Sequence, residues 1–133
     1  MSLLVAFPDL RALSLYRSES SAASPAAQAK AYISLHFAEP ITLNDVAARI
    51  YVNPVYLSRV FREKTGVTFT EALTRTRMEA VMHRLQETGD PISLIATDCG
   101  YRNIKYFYSQ FKRYAGMSPS EWRIRHAEGE KKA

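Results

Sequence analysis

The stretch at residues 92–116, ISLIATDCGYRNIKYFYSQFKRYAG, decides how the chain is read. It reads as a short apolar helix, a turn carrying Gly100, and a second helix that is amphipathic and basic. At about 3.6 residues per turn, Phe107, Phe111 and Tyr114 fall on one side of that second helix. Lys105, Tyr108, Ser109 and Lys112 fall on the other, at spacings of three and four. An aromatic keel and a basic, hydrogen-bonding outer stripe, joined to a short helix by a glycine-containing turn, form a helix-turn-helix signal. An ordinary helical hairpin with a solvated basic face gives much the same pattern, so one occurrence does not decide.

The stretch occurs twice. Residues 53–66 read NPVYLSRVFREKTG and residues 103–116 read NIKYFYSQFKRYAG. At an offset of fifty, Asn53, Tyr56, Phe61 and Gly66 meet Asn103, Tyr106, Phe111 and Gly116. Leu57 meets Phe107, and Arg62 meets Lys112. The short helices also correspond, Val46 and Ala47 against Ile95 and Ala96, if the second turn is one residue longer. Two divergent copies in one chain are far more specific than one.

The chain has 133 residues, 47% hydrophobic and 23% charged, which are globular values and enough to bury a core. Its net charge of +5 points to a polyanionic partner. Residues 100–125 concentrate that charge, holding six Lys or Arg and Glu121 as the sole acid. The single cysteine, Cys99, excludes an internal disulfide and fits a reducing compartment. MSLLVAFPDL lacks a basic leader, and Pro8 cuts its apolar run, so it is a poor signal peptide. No apolar run reaches the roughly 18 residues that span a bilayer, so no membrane role is expected.

Read in order, residues 1–25 differ from the rest. SESSAASP is a small-residue linker, so this segment reads as a tail or as the remnant of an upstream domain. A helix over 26–38 puts Ala29, Ile33 and Phe37 on one face and stops before Pro40. Thr42 offers the next N-cap, with Asp45 in the first turn of a helix over 43–50. Asn53 and Pro54 make a cap followed by proline, and Gly66 supplies the left-handed terminator. Thr68 and Glu71 suggest a capping box opening a long helix through about Glu87, which Gly89 ends. Asp90 and Pro91 repeat the cap-then-proline start. Ser118, Pro119 and Glu121 open a last helix carrying Trp122. The expected fold is all-α, with residues 26–127 as one double helix-turn-helix domain and 128–133 as a charged tail.

With the motifs in place, the array resembles the DNA-binding domain of the AraC/XylS family of bacterial transcription regulators. The resemblance covers about three quarters of the chain and rests on ordered motifs. These include Val46 and Ala47, the run YLSRVF from Tyr56 to Phe61, Arg77 and Met78, Ile95 and Ala96, Cys99 to Tyr101, the run GMSP from Gly116 to Pro119, and Arg123. It implies seven helices, two helix-turn-helix subdomains and a long central helix as the bridge. It also implies double-stranded DNA as partner, RNA polymerase as a candidate further one, a missing upstream effector or receiver domain and a bacterial cytoplasmic setting; the tandem repeat within one chain points to a monomeric fragment. Activation of transcription follows by analogy with most relatives.

By that resemblance, base readout falls on Val55, Ser58 and Arg59 in the first helix and on Lys105, Tyr106 and Ser109 in the second. An arginine can read guanine bidentately, a hydroxyl can reach base edges, and valine can pack on a thymine methyl. Periodicity places Tyr106 toward the flank of its helix. Ser109 is shorter, and Ile104 less polar, than many relatives carry there, which weakens base readout by the second helix. Arg62, Arg102, Lys112 and Arg113 suit phosphates, and helix N-termini add donors. Tyr56, Phe107 and Trp122 read as core, and Cys99 as a small buried hydrophobe. His36, His83 and His126 lack metal-ligand spacing, and no phosphate loop, nucleophile elbow or paired catalytic acids occur. No cofactor, metal or enzymatic activity is expected. An adaptor binding RNA polymerase, or the targeting module of an enzyme, are the alternatives.

Overall fold

Seven α-helices and no strand are present among residues 23–132, the part of the chain that the computed structural model describes. Expectations for residues 1–22 lie outside them. The helices are α1 (Pro25–His36), α2 (Leu43–Arg49), α3 (Pro54–Thr65), α4 (Phe69–Glu87), α5 (Ile92–Asp98), α6 (Ile104–Ala115) and α7 (Pro119–Lys132). The Ser24 hydroxyl caps α1 by accepting the Ala27 N–H at 3.1 Å. The backbone of α7 stays helical through residues expected as a tail.

The chain divides into two units, each holding one helix pair. The first comprises α1 as far as Tyr32 and Leu43–Phe69; the second comprises Ile33–Thr42 and the chain from Thr70 onward. In the first, Ala26, Ala29, Val46, Ala47, Leu57, Phe61 and Phe69 are buried, with Phe61 and Phe69 edge-to-face at 5.9 Å. In the second, Met78, Val81 and Leu85 of α4 pack with Ile95 and Ala96 of α5 and with Phe107 and Phe111 of α6. Cys99 is buried there as expected, and burial pushes its thiol pKa up.

The repeat is copied in detail. Pro54 to Ile104 is a step of fifty, whereas Leu43 to Ile92 is forty-nine, so the second turn is one residue longer. Val52 and Tyr101 donate backbone N–H groups to Ala47 and Ala96 in equivalent bonds of 3.0 and 2.9 Å. The extra residue therefore falls between Tyr101 and Asn103, and it is Arg102. From residue 54 to 70 and from 104 to 120, buried, half-buried and exposed positions follow the same order.

Two arginines hold the chain just beyond helix ends. Arg77 of α4 donates to the carbonyls of Phe37 (2.7 Å) and Glu39 (2.9 Å), just past α1. Arg123 of α7 donates to Leu85, Thr88 and Asp90 carbonyls at 2.7–3.1 Å, at the end of α4. Arg123 thereby satisfies one carbonyl that the end of α4 leaves open, at Leu85, whereas Arg77 ties down the turn beyond α1.

Five local expectations need correction. Asp90 does not cap α5: Pro91 holds that position without a side-chain cap, and the Asp90 carboxylate pairs with Arg84 at 2.7 Å. That pairing holds the Asp90 carboxyl below its ordinary range. Tyr56 is exposed rather than core, and Trp122 only half-buried against the second core. Tyr114 leaves the keel and Tyr108 leaves the outer stripe. Each sits roughly 60° off the centre of the Ile104, Phe107, Phe111, Ala115 stripe, on opposite sides, and both are partly exposed. By contrast the Ser118–Glu121 capping box forms in both directions, at 3.0 and 3.1 Å.

Glycine is required in the second turn on two grounds. Gly100 has φ 108°, and a Cβ there would meet the Arg77 Nε at 2.8 Å and the Phe37 carbonyl at 2.9 Å. Gly66 has φ 83° but open space around it. Gly100→Ala should therefore cost about 3 kcal/mol, strain plus overpacking, and Gly66→Ala only about 1 kcal/mol. Urea unfolding at matched m-values checks this; equal losses would contradict the packing argument.

Candidate nucleic-acid interface

The outward face of α3 is set by what the helix buries. With Leu57 and Phe61 fully buried and Val60 half-buried, Val55, Ser58, Arg59 and Arg62 emerge on the exposed side. Asn53 holds the start of the helix: its Oδ1 accepts the N–H of Val55 at 2.8 Å and of Tyr56 at 3.1 Å. Val55 is 77% exposed, as single aliphatic side chains on a protein surface commonly are. Val55, Ser58 and Arg59 line one shallow groove together with Leu43 and Asn44 of α2. The Arg59 guanidinium lies 5.3 Å over the Tyr56 ring and 3.5 Å from the Glu63 carboxylate. This exposed i,i+4 pair contributes only about 0.3–0.5 kcal/mol, so an incoming acceptor can displace it.

The second helix presents Lys105, Tyr106 and Ser109 on its exposed side. Tyr106 is 55% exposed, more open than the flank position read from periodicity. Its N–H is capped by Asn103 Oδ1 at 2.9 Å, and its hydroxyl accepts from Gln110 Nε2 at 2.7 Å. Gln110 Oε1 in turn accepts from the hydroxyl of buried Tyr101 at 3.0 Å. Burial raises the Tyr101 pKa to about 12.

Arg62, Arg102, Lys112 and Arg113 are all exposed, and none forms an ion pair among the described residues. Each is available to a phosphate. The helix N-termini of α3 and α6 are less available than expected, because the asparagine caps already engage their first-turn N–H groups. Among the described residues, no group of three or more His, Cys, Asp or Glu could hold a metal ion, and no helix is long and apolar enough to cross a membrane.

A family profile described as a helix-turn-helix domain matches residues 46–125. The transcriptional regulatory protein YesN of Bacillus subtilis (strain 168) is 40% identical over 76 residues, 56% of this chain and 21% of YesN. Among solved structures, the C-terminal domain of AraT, a response regulator from Geobacillus stearothermophilus, is 38% identical with a TM-score of 0.74. That match covers 76% of this chain and 84% of the other. The chain belongs to the AraC/XylS family of transcription regulators. That family is one of DNA-binding transcription regulators and not of enzymes. The DNA-binding domain of AdpA, solved with a target DNA, has the same fold at 24% identity and a TM-score of 0.76, covering 83% of this chain and 99% of its own. This AraC-type chain spans about a fifth of the length of YesN.

Sequence reasoning missed Tyr51 and Gln110. Tyr51 adopts φ 59° in the first turn and is 92% exposed. The signal was available: shifted by forty-nine, Tyr51 falls on Gly100, so the turn needs the left-handed region in both copies. Gln110 carried no signal, because its counterpart Val60 is apolar.

The shift on Tyr101 has a defined pH consequence. A phenol whose folded pKa lies above its unfolded value, near 10, favours the fold below pH 10. That contribution is lost as pH rises from about 10 to about 12. Tyr101→Phe should remove the last-titrating phenol from the near-ultraviolet absorbance curve. A lost phenol titrating near pH 10 would show that Tyr101 is solvated.

Proposed function

We propose that this AraC-type domain reads duplex sequence with α3 and α6 in successive major-groove segments of one non-palindromic site. The observation that supports it best is the copied register, which repeats cap, keel and outer face at fifty residues. Val55, Ser58 and Arg59 read bases in one segment, and Lys105, Tyr106 and Ser109 in the next. Arg62, Arg102, Lys112 and Arg113 take phosphates, which position without specifying. Because the copies run in tandem in one chain, a monomer suffices to cover both segments. The domain activates transcription in the cytoplasm, with RNA polymerase as a further partner, under an effector or receiver domain elsewhere in the full protein. Support for that last point is the greater length of YesN and the description of AraT as a response regulator.

Selection of bound duplexes from a random pool tests the reading directly. Arg59→Ala should cost roughly 1–3 kcal/mol and relax one base position. Lys112→Ala should weaken all sequences alike and reduce the slope of log affinity against log salt by about 1. Ser109→Ala should do little. A flat salt response, or a profile in which the two substitutions look the same, counts against the assignment.

The α4 helix runs unbroken from Phe69 to Glu87 and joins the chain of one unit to the next. If it acts as a stiff link, Thr76→Pro should break it at a cost of roughly 3 kcal/mol or more. A folded variant should lose most of the advantage that a full site has over either half-site. Retention of that advantage would remove the stiff link from the mechanism.

A further inference from the structure

The two copies hold their outward tyrosines in opposite ways. Tyr56 lies beneath the Arg59 guanidinium, and the counterparts of Gln110 and Tyr101 in this copy are apolar, Val60 and Val52. Tyr106, its counterpart, is tied through Gln110 to Tyr101. The position equivalent to Arg59 is Ser109, too short to support a guanidinium-like reach.

The direction of that hydrogen-bond chain is fixed from its buried end. Tyr101 is 4% exposed, and its hydroxyl faces Gln110 Oε1 at 3.0 Å, an oxygen that can only accept. Tyr101 therefore donates to Gln110 Oε1, which leaves the Gln110 amide to donate to the Tyr106 oxygen. With its oxygen occupied by a donor, Tyr106 has its own O–H left to offer outward.

We infer that Tyr101 and Gln110 are positioning residues that make Tyr106 a hydrogen-bond donor toward DNA, so that the second segment is read at a base-edge acceptor. The inference rests on the base-reading role proposed above for Tyr106. Acceptors of this kind are guanine O6 and N7, adenine N7 and thymine O4; the cytosine amino group is excluded because it also donates. Readout in this half would then pass through a tyrosine, not through the serine.

The test is a double-mutant cycle on the intact chain, with sites selected from a random duplex pool. Tyr106→Phe should abolish the preference at one base pair of the second segment, a loss of about fivefold in the specific-to-scrambled affinity ratio. Tyr101→Phe, which keeps the buried ring and adds no charge, should relax the preference at that same base pair. Gln110→Met, of similar length, should do the same, and keeps the test open if Tyr101→Phe does not fold. Combined with Tyr106→Phe, neither should reduce the ratio further. Additive losses, or losses spread evenly over all sequences, would overturn the positioning role while leaving Tyr106 as a reader. If Tyr106→Phe leaves the preference intact in a folded chain, the base-reading role of Tyr106 falls, and this inference with it.

Discussion

Burial of two side chains one turn apart sets the rotation of α3 and of α6 about its own axis. Leu57 and Phe61 do this in α3, and Phe107 and Phe111 in α6; all four are fully buried. Exposing any one would forfeit roughly 1.5–3 kcal/mol, so rotating the helix by one residue, about 100°, costs more than any single surface contact could return. Everything on the outer face inherits its direction from this constraint. The asparagine cap and the glycine terminator then fix where the helix starts and stops, with Gly66 and Gly116 at φ 83° and 82°. Azimuth and length are thus settled by residues that never face outward.

A second layer of control lies at helix ends. Arg77 and Arg123 spend their donors on backbone carbonyls and not on carboxylates. Because a guanidinium has several donors in a fixed fork, one side chain can satisfy carbonyls two or more residues apart. Desolvation lowers the Arg77 pKa, as expected for a cation held by neutral acceptors. Sequence reading treated Arg77 and Arg123 only as family landmarks. Nothing in composition separates an arginine facing phosphate from one facing a carbonyl tens of residues away.

Much of the fold was legible because local signals agreed with one another. The asparagine caps, the paired glycines and the Ser118–Glu121 box each act within four residues, and all formed. The one-residue difference between turns was also readable, since only it aligns both helix pairs. What failed depended on tertiary partners. Asp90 looks like a cap until Arg84 claims its carboxylate. Tyr114 and Tyr108 share a residue type and nearly the same offset from the keel, so periodicity alone cannot rank them. The direction of the Tyr101, Gln110, Tyr106 chain depends on a buried hydroxyl in the turn before α6, which no spacing rule along α6 reveals.

The lone extra residue in the second turn changes what kind of duplication this is. Arg102 lies outside the matched frame, whereas every position from Asn103 to Ser120 has a counterpart with the same burial. Helices α3 and α6 are therefore interchangeable cartridges, while the turns that hold them are not. Outer residues could be transplanted from α3 onto α6 without disturbing a cap or a keel. Moving the turn as well would delete a cation and admit Tyr51, whose side chain cannot fit the close approach that Gly100 allows. As far as the fold is concerned, exchange between the copies is thus tolerated on the outer face and barred one turn upstream.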